Sequence, residues 1–177
     1  EEMPDATHNT ILPFTRYLAG AGDYTICYYN NRIKTTHAHQ LALSVVCYSP
    51  IQFMYWYDKP SFYQGEKEIA FFDNVKTVWD DTKVLNGEIG KYIITARRSG
   101  EDWFIGGITN NDARDVLVDF NFLEAGKQYV ATLYYDDDKL NTRTNVGIKE
   151  LKLKKGKSMK LQLKPSGGFA IHIQEIK

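Results

Sequence analysis

The sequence has 177 residues, with 22 Lys+Arg against 22 Asp+Glu, a length that fits one domain or a small domain plus part of another. The charge balance excludes a global basic field for nucleic acid and an acidic field for a cationic partner. No apolar run reaches the roughly 20 residues of a membrane span, and the 14% aromatic content suits both sheet packing and sugar-stacking surfaces.

The chain opens on Glu1-Glu2-Met3-Pro4-Asp5-Ala6-Thr7-His8, without an initiator Met, signal peptide or tag; it reads as the tail of a larger protein. His8 stands beside Asn9, with Asp5, Glu1 and Glu2 nearby, a group able to take sugar hydroxyls or a hard cation. The bland alternative is a frayed, solvated terminus. Pro13 argues against a regular helix through Thr10 to Arg16. Arg16 lies in an apolar stretch and calls for a carboxylate or a ligand, with Asp23 the available partner. Gly20 and Gly22 mark a loop or a helix end. Cys27 and Cys47 sit in apolar surroundings and read as buried hydrophobes. No cysteine or histidine spacing suits zinc.

Thr35 and Thr36 offer an N-cap, and Ala38, Leu41, Ala42, Val45 and Val46 repeat as a helical stripe that Pro50 stops. His37 and His39, two apart, point to different faces of that helix and read as a polar helix start, not a shared metal site. Residues 51–57 form a continuous apolar run, expected as a strand covered on both faces in a parallel sheet. Asp58 follows at once and is the best-placed carboxylate if that strand belongs to a barrel, whose strand C-termini face the active site. An Asp that only caps the Pro60 loop is an equal alternative. Glu66 to Phe72 makes a short helix, which completes one βα unit of an α/β region.

From Lys83 the period becomes two. Tyr92, Ile94 and Ala96 share one face, and Ile93, Thr95 and Arg97 the other. Ser99 to Asp102 is a turn, Trp103 to Ile105 starts the return strand, and further strands are expected at Val116 to Phe122 and Tyr129 to Tyr135. Leu151 and Leu153, then Met159, Leu161 and Leu163, then Phe169, Ile171, Ile173 and Ile176 continue the series. The alternating lysines between 149 and 164 read as a wet sheet face that discourages edge pairing. Asp136-Asp137-Asp138 lacks the Gly and closing Glu of a calcium loop and reads as a solvated turn. Seven or eight strands, each with one buried and one wet face, make an antiparallel sandwich. No phosphate-binding Gly loop, GxSxG or HExxH occurs, so the residues supply no complete catalytic constellation.

Three segments in order carry a resemblance: His8-Asn9-Thr10-Ile11-Leu12-Pro13-Phe14-Thr15-Arg16-Tyr17-Leu18-Ala19-Gly20, Thr36-His37-Ala38-His39-Gln40-Leu41-Ala42-Leu43-Ser44-Val45-Val46, and Val78-Trp79-Asp80-Asp81-Thr82 running on to Gly87-Glu88-Ile89-Gly90-Lys91-Tyr92. Ala96-Arg97-Arg98-Ser99-Gly100 and Ile108-Thr109-Asn110-Asn111 extend it. Together they resemble the C-terminal part of glycoside hydrolase family 97, the α-glucosidase/α-galactosidase family common in gut Bacteroidetes. The resemblance implies α/β plus all-β architecture: the end of a (β/α)8 barrel over residues 1–82, then an antiparallel β-sandwich over residues 83–177. It implies removal of terminal α-linked glucose or galactose from an oligosaccharide substrate, with calcium in the site, and inversion or retention set by carboxylate placement. The catalytic carboxylates are then expected upstream of Glu1. Glu2 is the expected calcium ligand, His8 and Arg16 face the sugar, and no nucleophile or base is carried over. A periplasmic or extracellular location follows from the same resemblance.

Two other roles compete for the sandwich. As a non-catalytic carbohydrate-binding module it would expose Trp103, Tyr134 or Tyr135; as a structural part it would pack on the barrel. The expected partners are the missing N-terminal part of the same protein or a second copy, covering faces that include Ile51 to Trp56.

Overall fold

The computed structural model describes residues 3–177. Asp5 caps the first helix, α1 (Ala6–Ile11), by accepting a hydrogen bond from His8 N at 2.8 Å. The chain then tightens into 3-10 turns at Leu12–Phe14 and Arg16–Ala19, where Pro13 has no N–H to continue a helix. A two-residue strand, β1 (Tyr24–Thr25), leads through a loop to α2 (His37–Val46). Thr36 caps α2, its Oγ1 accepting from His39 N at 3.2 Å. Every α2 residue after His37 is buried, as expected of a helix with layers on all sides.

β2 (Gln52–Phe53) pairs parallel with β1, Tyr24 opposite Gln52 and Thr25 opposite Phe53. The buried strand expected over 51–57 is therefore cut to two residues, and Ile51, Phe53, Tyr55, Trp56 and Tyr57 are exposed. For Ile51 and Phe53 the physical reason is a missing layer. Gln52 and Met54 turn toward α2, Gln52 Nε2 donating to Ser44 O, while nothing among the described residues covers the opposite side. This parallel pair is all the α/β sheet the described residues contain, so no closed barrel is present among them. A 3-10 turn at Lys67–Ile69 leads into α3 (Ala70–Asn74), as the sequence indicates.

Eight antiparallel strands follow: β3 (Asp81–Glu88), β4 (Tyr92–Ser99), β5 (Asp102–Thr109), β6 (Arg114–Asp119), β7 (Tyr129–Asp136), β8 (Val146–Leu153), β9 (Ser158–Leu163) and β10 (Gly168–Glu175). Six form one sheet in the order β3-β4-β5-β10-β7-β8, and β6 pairs with β9. One face of the large sheet carries Ile93, Phe104, Ile108 and Ala170 against Leu41, Ala42, Val45 and Val46 of α2. The other carries Ile94, Ile105, Ile171 and Ile173 against Val116, Val118 and Leu163 of the β6–β9 pair.

This layering corrects the expectation of one wet face per strand. β5 and β10 are buried on both faces, and so is β4 from Ile93 to Arg97, because α2 covers the side that a plain sandwich leaves to water. β6 and β9 lie outermost and keep the expected alternation. Ile176 falls beyond the last strand and is exposed. Both cysteines are buried thiols, and burial pushes the Cys47 thiol up to about 12.

Candidate functional site at the ends of the parallel strands

Because β1 and β2 run parallel, the segments leaving their C-terminal ends meet. Ile26 N donates to Phe53 O at 2.7 Å and Trp56 N to Ile26 O at 2.9 Å, which carries the pairing beyond the strands. Asp58 sits where the two segments converge. Its Oδ2 accepts from Tyr29 N at 3.0 Å, which ties the loop after β2 to the loop after β1. Its Oδ1 is buried without a hydrogen-bond partner, and burial raises its pKa despite the amides of Tyr29 and Tyr28. Asp58 also lines a cavity of about 500 Å³ with Tyr29, Tyr55, Lys59, Tyr63 and Asp73. Asp58 thus fastens the loop after β2 to the loop after β1 and lies on a cavity wall.

Tyr29 and Tyr55 stack at 6.1 Å and 12° in that wall. The Arg143 guanidinium lies 4.6 Å over the Tyr29 ring and pairs with Glu66 at 2.6 Å, which draws the loop before β8 onto this end of the molecule. The burial of Tyr29 and the nearby Glu66 carboxylate hold its phenol above the usual range.

His8 lies exposed on α1. Arg16 does not pair with Asp23 as expected: its guanidinium folds back to donate to Gly20 O at 3.3 Å and Ala21 O at 2.9 Å. Gly22 makes that possible, since a Cβ there would lie 3.3 Å from the guanidinium carbon. No hydrogen bond joins His8, Arg16 and Asp58 to one another among the described residues. Glu2, the expected calcium ligand, lies outside the described residues. Among the described residues no three His, Cys, Asp or Glu side chains gather to hold a metal ion. No described helix is long and apolar enough to cross a membrane.

His39 is the residue the sequence placed least well. It lies at the helix start as expected, but it is fully buried and takes long-range partners. Its Nδ1 donates to Gly167 O at 3.1 Å, a carbonyl that can only accept. Its Nε2 accepts from Asn9 Nδ2 at 3.0 Å, and Asn9 Oδ1 accepts from Tyr24 OH at 3.0 Å. One imidazole therefore joins α1, β1, α2 and the turn before β10. His37 turns the other way, edge-on to the Tyr28 ring at 5.2 Å.

Burial lowers His39 from 6.5 to about 4. A folded value below the unfolded one means stability present above pH 6.5 that is lost as pH falls toward 4. Asp136, which accepts from Gly168 N at 3.1 Å beside this turn, is raised by burial to about 6 and contributes with the opposite sign. His37 is also lowered to about 4. Comparison with His39→Gln cancels both contributions. Chemical denaturation from pH 7 to pH 4 is expected to show the native chain losing more stability than His39→Gln. Parallel pH curves for the two proteins would contradict the burial of a neutral His39.

The three residues offered as an exposed platform on the sandwich serve other purposes. Trp103 is buried with its ring 4.6 Å from Phe122, and Tyr134 is buried 5.4 Å from Phe71. Tyr135 is only partly exposed, with its hydroxyl turned to Asp137. A carbohydrate-binding module on the sandwich is therefore not favoured.

Residues 78–174 match the family described as "Glycosyl-hydrolase 97 C-terminal, oligomerisation". The chain is 38% identical over 182 residues to a retaining alpha-galactosidase from Bacteroides thetaiotaomicron, covering 94% of this chain and 27% of that protein. Among solved structures it is similar to a Glycoside Hydrolase Family 97 enzyme from Pseudoalteromonas sp. strain K8, solved with panose and with acarbose. That match has a TM-score of 0.90 at 32% identity and covers 99% of this chain and 30% of the enzyme. A beta-arabinopyranosidase shares the fold at a TM-score of 0.78 and 24% identity, over 94% of this chain and 27% of that one. The chain thus spans between a quarter and a third of the length of these relatives.

Proposed function

The chain belongs to glycoside hydrolase family 97, and on that premise we propose that it is the C-terminal portion of an α-glycosidase that removes terminal α-linked galactose or glucose from oligosaccharides. The supporting observation is the 38% identity to a retaining alpha-galactosidase over 94% of this chain, which extends well beyond the sandwich. Within this proposal residues 1–82 are the closing part of a (β/α)8 barrel. Their parallel β1–β2 pair and the α2 layer outside it fit one edge of such a barrel. Residues 83–177 form the sandwich that supports it through α2 and, as the family description has it, serves oligomerisation. The catalytic carboxylates lie upstream of Glu1, and His8, Arg16 and Asp58 border the sugar.

The same proposal includes calcium, with ligands beyond the described residues, and a periplasmic or extracellular location. It also accounts for Ile51 and Phe53, which are 62% and 50% exposed. Apolar side chains on a strand face call for a covering layer, and the preceding barrel strands of the same protein supply one. A second copy docks on the sandwich.

The test is steady-state hydrolysis of p-nitrophenyl α-galactoside and α-glucoside. The full-length protein is expected to turn over at least one of them, to lose activity with a chelator and to regain it with calcium. Residues 1–177 alone are expected to be inactive. Turnover by residues 1–177 alone would contradict the upstream placement of the carboxylates, and an inactive full-length protein would contradict the α-glycosidase proposal.

A further inference from the structure

Beyond the end of β2 the side chains no longer follow the strand. Asp58 N donates to Tyr55 O at 3.0 Å, closing a turn in which Tyr57 takes a φ of +63°. That left-handed conformation is costly for a bulky side chain and persists where the surroundings fix it; here the Asp58 carboxylate pins the turn to Tyr29 N. The turn holds Trp56 and Tyr57 outward, 45% and 54% exposed. Trp56 is edge-on to Phe53 on one side and to Tyr57 on the other, both at 5.5 Å. The Arg32 guanidinium stands 5.5 Å over the Tyr57 ring. Trp56, Tyr57 and Arg32, with Asp23 and Tyr24, line a cavity of about 280 Å³, separate from the one beside Asp58 and Tyr29.

We propose that Trp56 and Tyr57, with Arg32, form a sugar-contacting platform that binds one pyranose ring of the substrate. The proposal rests on the α-glycosidase reading above. The electron-rich face of an aromatic ring attracts the C–H face of a pyranose, and a guanidinium and a carboxylate at its border take the hydroxyls. Position separates this platform from the strand face. Ile51 and Phe53 lie at the level of β2, where neighbouring barrel strands would cover them. Trp56 and Tyr57 lie past its C-terminal end, where barrel enzymes hold their substrates.

The test uses the full-length enzyme with p-nitrophenyl α-galactoside and α-glucoside. Trp56→Ala is expected to raise KM on the order of tenfold with kcat nearly unchanged, the pattern of lost uniform binding. Trp56→Tyr, which keeps a ring face, is expected to recover most of that loss. An unchanged KM in Trp56→Ala would overturn the platform and leave the glycosidase proposal standing. Acrylamide quenching gives an independent readout of the 45% exposed Trp56 when taken as the difference between the native enzyme and Trp56→Tyr. Galactose or glucose is expected to shield Trp56 from the quencher. A Trp56 already shielded without sugar would show that protein covers the platform and would overturn it. If neither glycoside is hydrolysed, the function proposal fails, and the platform stands only if a sugar still protects Trp56.

Discussion

Gly106→Ala is expected to destabilise the chain by about 3 kcal/mol, at the upper end of what overpacking a close-packed interface costs. Gly106 lies on β5 beneath α2, and a Cβ there would stand 2.5 Å from Ala42 O and 3.0 Å from Val45 Cβ. Ala42 O is helix backbone, so no rotamer change relieves the clash; α2 has to lift from the sheet. Lifting it would open the packing of Leu41, Val45 and Val46 on Phe104 and Ala170. It would also strain the His39 bond to Gly167 at the other end of the same helix. The checking measurement is the urea midpoint at constant slope. A loss below 1 kcal/mol would mean that α2 is not pressed onto β5 as described.

Arg97→Ala is expected to cost about 3 kcal/mol, since hydrogen bonds from a charged group are worth ~1.5–3 kcal/mol and their buried acceptors would be left unpaired. Arg97 is 7% exposed and lies under the C-terminal end of α2. Its Nε donates to Val45 O at 2.6 Å, one Nη to Thr82 Oγ1 at 2.9 Å and the other to Val46 O at 3.5 Å. The guanidinium also faces the Tyr48 ring at 5.3 Å. A helix C-terminus presents carbonyls without intrahelical donors and a negative dipole end, and a buried cation answers both. Burial works against the charge and lowers the Arg97 pKa. Arg97→Lys keeps the charge but not the planar fork, and is expected to recover less than half of the loss. An Arg97→Ala protein as stable as the native one would refute this capping role.

Arg97 also shows where sequence reading ends. A period of two correctly divides β4 into two faces, and it places Arg97 with Ile93 and Thr95. Period alone does not say which faces meet water. In a two-layer sandwich the Arg97 face would be wet; here α2 forms a third layer over it. The α2 helix itself was legible because its cap and its apolar stripe are both local. The strands were legible for the same reason, and so was the family, from segments that recur in order.

What escaped the sequence is long-range or depends on absent layers. The partners of His39 are 30 and 128 residues away, and no local pattern names them. The run 51–57 has the composition of a doubly covered strand, but burial is a property of neighbours, and the neighbours on one side are missing. Asp58 stood out from its place after an apolar run, whereas the two cavities and the outward turn at Tyr57 follow from three-dimensional closure of the loops. Arg16 was matched to the nearest carboxylate in sequence, while in the structure it bonds two loop carbonyls.

At the centre of this account, α2 seats the segments around the candidate site on the sandwich as one cooperative unit. Differential scanning calorimetry of residues 1–177, native and Gly106→Ala, tests that most directly. The expected result is a single transition with equal calorimetric and van't Hoff enthalpies, displaced as a whole to lower temperature by Gly106→Ala. Two separate transitions, of which the substitution moves only one, would contradict it.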